Sequence, residues 1–163
     1  MTTWKLHSFF LLPFLLGASL TTSAANQDEH NVLAVVDQAM TMISSENWVG
    51  YSDLMIEEGM VYVGAIDNGE YIVQTRTYKE TRENIIEADH VERAWNPTVR
   101  ISGTIAIVWH PYDFYIDGSW SHCGVDIWNM IRTTEGWRIA SLMYNRQQPP
   151  ECNPHPEGPP PTN

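Results

Sequence analysis

The sequence predicts an α+β fold, with helices in the N-terminal half and an antiparallel sheet toward the C-terminus. Three runs of apolar, aromatic and β-branched residues, at 105–116, 119–132 and 137–146, are separated by two turn signals. Asp117-Gly118 between alternating runs is typical of a short hairpin, and Thr134-Glu135-Gly136 suits a three-residue loop. These runs predict a three-stranded antiparallel meander.

The two turns set the predicted register of this meander. A two-residue first loop places Asp113 opposite His122, and a three-residue second loop places Asp126 opposite Tyr144. Side chains alternate between the two faces of a sheet, and a slip of one residue in either turn would break the assignment. One face is predicted to carry Trp109, Asp113, His122, Asp126, Trp128, Leu142 and Tyr144. The other is predicted to carry His110, Tyr112, Cys123, Val125, Ile127, Ile139 and Met143.

Helical patterns come before the meander. A helix is predicted from Asn26 to Ile43, because apolar residues recur along one face of it. A second, shorter helix is predicted over 46–55. Thr77, with Glu80 three residues on, matches a capping box that opens a third helix through about residue 89. Short strands are predicted at 60–63, 71–75, 91–95 and 98–102.

Residues 1–25 have the composition of a secretory signal peptide. Lys5 gives a weakly positive start, and the apolar run that follows is interrupted by a proline. That run is too short for a good membrane-spanning helix, and the small residues of 22–25 offer cleavage sites. A retained membrane anchor is the alternative. We expect cleavage, a folded domain over 26–146 and a periplasmic or secreted location, with no membrane attachment after cleavage.

Composition narrows the classes of partner. About 138 residues remain after cleavage, which fits one domain with a sizeable core. The net charge of −11 argues against nucleic acid and anionic membrane surfaces as partners. The sequence has no phosphate-binding glycine loop, no nucleophile elbow around a serine and no zinc-type spacing of His and Cys. We therefore expect neither a cofactor nor a metal.

The cysteines and the C-terminal segment belong together in the predicted register. Cys123 lies at the strand end from which the tail departs, and five residues after Gln147 could bring Cys152 back beside it. A disulfide bond between them is one alternative, and two free thiols are the other. Residues 147–163 hold seven of the ten prolines. They are expected to form an extended or disordered tail, with a recognition segment as the alternative.

Asp113 and His122 form the sharpest candidate for catalysis. An imidazole titrates near neutral pH, and a carboxylate beside it fixes the tautomer and raises the basicity of the ring. In a dry pocket such a pair acts as a general base. The alternative is a cross-strand ion pair near a hairpin tip, which contributes little to stability.

Several other side chains are candidates for binding a ligand. The hydroxyl groups of Tyr62 and Tyr144 can orient a ligand by hydrogen bonding, although tyrosines with buried rings are common without a function. Asp126 in mid-strand is either a second pocket acid or a structural acceptor, because a buried carboxylate must be paired or neutral. Trp109 and Trp128 either line an apolar pocket or pack in the core or at a dimer interface.

The order of the elements resembles the nuclear transport factor 2-like superfamily, in particular its SnoaL-like branch of small bacterial proteins. The residues that carry the resemblance are Glu57 to Tyr62, Gly118, and Gly136 to Ile139 at the start of the last strand. It covers about residues 28–146. The resemblance implies a cone-shaped half-barrel, in which a curved antiparallel sheet packs on about three helices around a pocket at its open end. It also implies frequent dimers.

The superfamily includes isomerases, dehydratases, hydrolases and binding domains without activity, so the fold leaves the function open. Where its ketosteroid isomerases carry the proton-abstracting aspartate, this chain has Val63, which argues against that reaction. One hypothesis is an exported protein that binds a small apolar molecule, with cofactor-free acid–base catalysis by His122 and Asp113 as an extension. The other is a non-enzymatic dimerisation or interaction module whose cone is filled by side chains.

Overall fold

The computed structural model describes residues 19–84 and 88–161, and it has an α+β fold in which helices cover one face of a curved, unclosed sheet. The sheet order is β2-β1-β7-β6-β5-β3, and β4 pairs with the first half of β5. Neighbouring strands are antiparallel, except that β1 and β7 are parallel. The helices are α1 (Ser19–Ser44), α2 (Trp48–Asp53) and α3 (Tyr78–Arg82). The strands are β1 (Met55–Asp67), β2 (Glu70–Thr77), β3 (His90–Ala94), β4 (Thr98–Ser102), β5 (Ile105–Ile116), β6 (Ser119–Thr133) and β7 (Gly136–Arg146).

Helix α1 packs the face predicted from its spacing into the concave side of the sheet. Its buried residues are Val32, Val36, Ala39 and Ile43. Burying a valine or isoleucine side chain contributes about 1.5–3 kcal/mol, so this stripe fixes the helix to the sheet. The helix begins at Ser19, within the segment predicted to be a signal peptide, and residues 1–18 lie outside the described chain.

The third helix begins as predicted and ends earlier. The Thr77 hydroxyl accepts from the backbone of Glu80, whose carboxylate in turn accepts from the backbone of Thr77, which is the reciprocal capping box. The helix ends at Arg82 rather than near residue 89. The predicted apolar residues Ile85 and Ile86 lie outside the described residues.

A β-bulge at Ser121 changes the predicted register of β5 and β6. The hairpin turn at Asp117-Gly118 forms as predicted, and Ile116 pairs with Ser119. The pairing then shifts between Tyr115 and Phe114, so that Ser121 is the extra residue. Side chains alternate along a strand, so one extra residue in β6 changes which side chains of β5 share a face with those of β6. From Phe114 back to Ile105, each residue of β5 therefore lies on the same face as a different set of β6 residues than predicted.

In the last hairpin, a second bulge compensates for a loop that is one residue shorter than predicted. Thr133 pairs with Gly136 rather than with Trp137, so the loop has two residues instead of three. The register shifts again at Ala140, and Asp126 lies opposite Tyr144, as predicted. Together the two bulges give an inner face that carries Ala106, Val108, His110, Tyr112, His122, Asp126, Trp128, Met130, Ile139, Leu142 and Tyr144.

The segment after Arg146, which was predicted to be extended or disordered, is attached to the outer face of the sheet. Gln147 forms a bridge with Cys123, and the side-chain amide of Gln148 donates to the carbonyl of Ser121. A disulfide bond joins Cys123 to Cys152, with their Cα atoms 5.9 Å apart. The tail has little regular structure of its own and is held by these side-chain and backbone contacts.

Candidate functional site

The predicted pairing of Asp113 with His122 is wrong, because the bulge at Ser121 turns the two side chains to opposite faces. Asp113 lies opposite Cys123 and is fully buried on the outer side of the sheet. Arg93 holds its carboxylate through two hydrogen bonds, of 3.0 Å from Nε and 2.5 Å from Nη2. The backbone N–H of His155 in the tail donates to the same carboxylate at 2.8 Å. This arrangement fixes the tail to the sheet.

The bulge also separates the predicted ligand-binding residues into two groups. Trp109 is 42% exposed on the outer face, and Tyr62 lies on that face beside Met143. Asp126, Trp128 and Tyr144 lie on the inner face, as predicted. His122 also faces inward, where its ring stacks on Phe114 at 5.0 Å between centroids.

Asp126 is the centre of a buried polar cluster inside the cone. It is 1% exposed, it shares a hydrogen bond with the neighbouring carboxyl of Glu92, and no N–H or hydroxyl group among the residues that the structure describes donates to it. The hydroxyl of Tyr51, Nδ1 of His110 and Nε of Arg76 are buried without a partner in that part of the chain. Buried polar groups are nearly always hydrogen-bonded, and exceptions call for a functional or solvent explanation. Several such atoms converging in one interior region indicate a site for a polar group that is not part of the chain.

Glu92 shares this interior with Asp126. It lies on β3, on the same inward side as Ala94, which pairs with Tyr112. Burial raises the pKa of Glu92 to about 7, and the nearby Arg76 works against that rise. Burial and the neighbouring Glu92 carboxyl raise the pKa of Asp126 well above its usual value. Two adjacent buried carboxyl groups cannot both ionise readily. We call Glu92 and Asp126 the acid pair.

The tautomer of His110 follows from its hydrogen bond. The indole N–H of Trp128 donates to Nε2 of His110 at 2.8 Å, and an indole can only donate. Burial lowers the pKa of His110 to about 4, so the ring is neutral and its proton lies on Nδ1. That Nδ1–H faces Oδ2 of Asp126 at 3.7 Å, which is beyond a direct hydrogen bond. His110 therefore presents a donor, and not a base, to the interior.

Aromatic rings lie beside the acid pair on the inner face, where Phe114 is opposite Glu92 and Tyr144 is opposite Asp126. Tyr112 lies edge-on to both His122 and Tyr144, with centroids 5.7 and 6.2 Å apart. The hydroxyl of Tyr112 donates to the backbone carbonyl of Asn145 at 2.9 Å, which fixes its ring. We call Tyr112, Phe114, His122 and Tyr144 the aromatic layer. Burial lowers the pKa of His122 to about 4, so this histidine is also neutral near pH 7.

Beyond the aromatic layer lies an open cleft of about 870 Å³. It forms where β7 ends at Arg146 while the hairpin of β1 and β2 continues outward. His122 reaches the cleft from the inner face, and Gln148 and Glu151 of the tail line its opposite wall. His122 belongs both to the wall of the cleft and to the aromatic layer, so it links the cleft to the inner face.

Glu92 and His110 were not predicted from the sequence as site residues. Glu92 stands in a short strand directly before Arg93, and adjacent charged residues are typical of a solvated edge. His110 was assigned to the face opposite Asp126, because a bulge adds one residue without disturbing the local alternation. The alternation of Ala106 and Val108 ahead of His110 was the available signal, since small and β-branched residues at that spacing indicate an inward face.

Comparisons with known proteins bear on the fold. No protein-family model matches the sequence, and no curated protein matches it. A nuclear transport factor 2-like protein with a cystatin-like fold from Novosphingobium aromaticivorans matches with a TM-score of 0.63 and 15% identity, over 81% of this chain and 92% of that one. A candidate scytalone dehydratase from the same organism gives 0.60 and 7%, over 78% and 89%. A candidate dehydratase of the same fold family from Streptomyces avermitilis gives 0.59 and 15%, over 76% and 99%.

These similarities establish the fold at identities too low to carry a function. The chain has the nuclear transport factor 2-like fold, which confirms the architecture implied by the resemblance in sequence. Proteins of this fold include dehydratases and a subunit described as belonging to an aromatic-ring-hydroxylating dioxygenase. No group of three potential metal ligands occurs within 19–84 and 88–161. None of the helices described is long and apolar enough to cross a membrane.

Proposed function

We propose that this protein binds a small organic molecule inside its cone and performs cofactor-free acid–base chemistry on it. The observation that carries the proposal is the position of two buried donors, Nδ1 of His110 and the hydroxyl of Tyr51, which have no partner among the described residues and lie near the acid pair. The acid pair replaces Asp113 and His122 as the candidate catalytic centre. A ligand reaches it from the cleft by displacing the aromatic layer.

The chemistry follows from the protonation states of the cluster. The raised pKa of both carboxyl groups keeps protons on the acid pair to a higher pH than usual, so one carboxyl can give a proton while the other, once ionised, accepts one. Burial raises the pKa of Tyr51 far above its usual value, so its hydroxyl stays protonated. Tyr51 and the Nδ1–H of His110 supply neutral donors to an oxygen atom of the ligand. Such a set suits isomerisation, dehydration or hydrolysis of a molecule with a carbonyl or hydroxyl group.

Binding of an uncharged phenolic ketone tests this proposal. We expect 4-hydroxyacetophenone to shift the NMR signal of the Trp128 indole N–H, because that group adjoins His110 in the cluster. Asp126→Asn should weaken binding about tenfold, since it removes an ionisable acceptor and leaves the volume unchanged. Asp37→Asn, on the exposed side of α1, is the matched control. An unshifted Trp128 signal at saturating probe, or equal affinity in Asp126→Asn and wild type, would rule the proposal out.

The acid pair also predicts how stability depends on pH. Its pKa values are raised from 4.5 for Glu92 and 3.8 for Asp126, so above those values the folded state binds more protons than the unfolded chain. Its contribution is complete below about pH 4 and is lost as the pH rises through the folded values. His110 and His122 act oppositely, because their folded pKa of about 4 lies below 6.5. Their contribution is complete above about pH 6.5 and is lost as the pH falls toward 4.

Between about pH 7.5 and 8.5 both histidines are neutral in the folded and in the unfolded chain, so the acid pair determines how stability changes with pH there. We expect the free energy of unfolding, measured with urea, to fall across that range. Asp126→Asn should make this slope shallower, because it removes one of the two carboxyl groups whose pKa is raised in the folded state. A flat profile in the wild type would contradict the assignment of Glu92 and Asp126 as a buried acid pair.

We further propose that the protein forms a homodimer through the outer face of its sheet. Ile105, Ile107, Trp109 and Met143 expose between 42 and 58% of their surfaces there. Contiguous exposed apolar surface of this kind marks an interface, and a two-fold dimer buries the same patch on both copies. Export is proposed as well, and the disulfide bond supports it, since such bonds persist in oxidising compartments.

Charge reversal on this face tests the dimer. Ile107→Glu combined with Trp109→Glu should convert a dimer to a monomer in light scattering, because each copy would bury carboxylates without partners. Val49→Glu, a comparably exposed apolar residue on α2, should leave the mass unchanged. A wild-type protein that is monomeric at high micromolar concentration would refute the proposal.

A further inference from the structure

The cleft contains an arginine that has no acidic partner among the described residues. Four arginines in the described chain lie within 4.0 Å of a carboxylate, namely Arg82, Arg93, Arg132 and Arg138. Arg146 has no carboxylate at that distance among the residues described. Its Nη2 donates instead to the side-chain carbonyl of Gln74 at 3.0 Å. In a chain with a net charge of −11, an arginine held by a neutral amide retains its attraction for an anion.

The position of Arg146 directs that charge toward the interior. Arg146 pairs with Ala65, two residues beyond the pairing of Tyr144 with Val63, so both side chains project on the inner face. The charge of Arg146 lowers the pKa of His122 and opposes the rise in the pKa of Tyr112 and Tyr144. All three belong to the aromatic layer. The positive charge therefore lies at the point where the cleft meets the rings.

Of the other groups in the cleft, one favours the binding of an anion and two oppose it. The amide nitrogen of Gln74 remains available, because its carbonyl faces Arg146. Asp67 and Glu151 line the cleft as well, at the hairpin tip and in the tail, and both are exposed. Their negative charges reduce the affinity of the cleft for an anion. Removing one of these charges should therefore raise that affinity.

We infer that the cleft binds the carboxylate of an aromatic organic acid through Arg146 and Gln74, with the ring of that acid against the aromatic layer. A guanidinium group forms short, charge-assisted hydrogen bonds with a carboxylate. The apolar body of the ligand then points toward Tyr112 and Tyr144. The inference rests on the proposed function, since it names the class of molecule that the interior receives.

The test compares two probes of equal shape, 4-hydroxybenzoate and 4-hydroxybenzamide, by NMR titration of the wild-type protein. We expect the carboxylate to bind at least about tenfold more tightly than the amide and to shift the Nε–H signal of Arg146. Arg146→Gln should remove this preference. Glu151→Gln should increase the affinity for the carboxylate about two- to threefold, because it removes a like charge.

The possible outcomes separate this inference from the proposed function. Equal binding of the two probes, or a carboxylate preference that survives Arg146→Gln, overturns the inference. Binding of 4-hydroxyacetophenone at Trp128, without binding of 4-hydroxybenzoate or 4-hydroxybenzamide, also overturns the inference and leaves the proposed function standing. Loss of the preference in Arg146→Gln with unchanged binding of 4-hydroxyacetophenone supports both.

Discussion

Replacing Arg93 by alanine is expected to lower the free energy of unfolding by about 3–5 kcal/mol, because it leaves the buried carboxylate of Asp113 without its charged partner. Asp113 is fully buried, whereas the side chain of Arg93 is 19% exposed. Arg93 also stacks over the ring of Tyr115, 5.4 Å from its centroid, so the substitution removes packing as well. Urea denaturation of the variant at pH 7 measures the effect.

A second substitution distinguishes the charge from the packing. Arg93→Met combined with Asp113→Asn removes both charges and keeps most of the volume, and such replacements of buried pairs are often nearly neutral. We therefore expect the double variant to be more stable than Arg93→Ala by at least about 2 kcal/mol. Equal destabilisation in the two proteins would show that the ion pair is not the source of the effect.

Local patterns in the sequence predicted the elements that depend on neighbouring residues. The capping box at Thr77 and Glu80, the turn at Asp117-Gly118 and the buried stripe of α1 involve groups within a few positions of one another. Their energetics are set by local spacing, so their positions follow from it. The fold class depended on the order of such elements and was confirmed for the same reason.

The candidate site depended on register, and the register depended on contacts between distant parts of the chain. The bulge at Ser121 lies where the tail returns, because the side chain of Gln148 donates to its carbonyl. Within the bulge itself, the indole of Trp120 donates to the carbonyl of His122, two residues further on. Neither contact changes the alternation of apolar and polar residues along the strand, so the pattern of the sequence does not show the bulge.

The bulge at Ser121 moved Asp113 out of the interior and brought His110 into it. A predicted acid–base pair thereby became a structural ion pair with Arg93, and the acid–base cluster appeared on the other face. The pairing of Asp126 with Tyr144 was predicted correctly, because the second bulge cancelled the error in the last loop. Its partner Glu92 comes from a different strand, so only the assembled sheet shows them together.

Opening the disulfide bond is expected to lower the free energy of unfolding by about 3–4 kcal/mol, the value that loop closure predicts for the 29-residue separation of Cys123 and Cys152. The bond, together with the contacts of Gln148 and His155, fixes the tail along the outer face. Urea denaturation of Cys123→Ala/Cys152→Ala against the oxidised wild type measures the loss. Wild type reduced with dithiothreitol should match the variant, which separates the loss of the bond from the loss of sulfur packing.

The same bond has a consequence for the cleft, because Gln148 and Glu151 form its outer wall. If the tail moves away when the bond opens, the reduced protein loses that wall and also the negative charge of Glu151. Limited proteolysis should then cut the tail between Gln147 and Cys152 in the reduced protein and spare it in the oxidised one. A reduced protein with an unchanged urea midpoint and a protected tail would show that Asp113 and its hydrogen bond from His155 hold the segment without the covalent link.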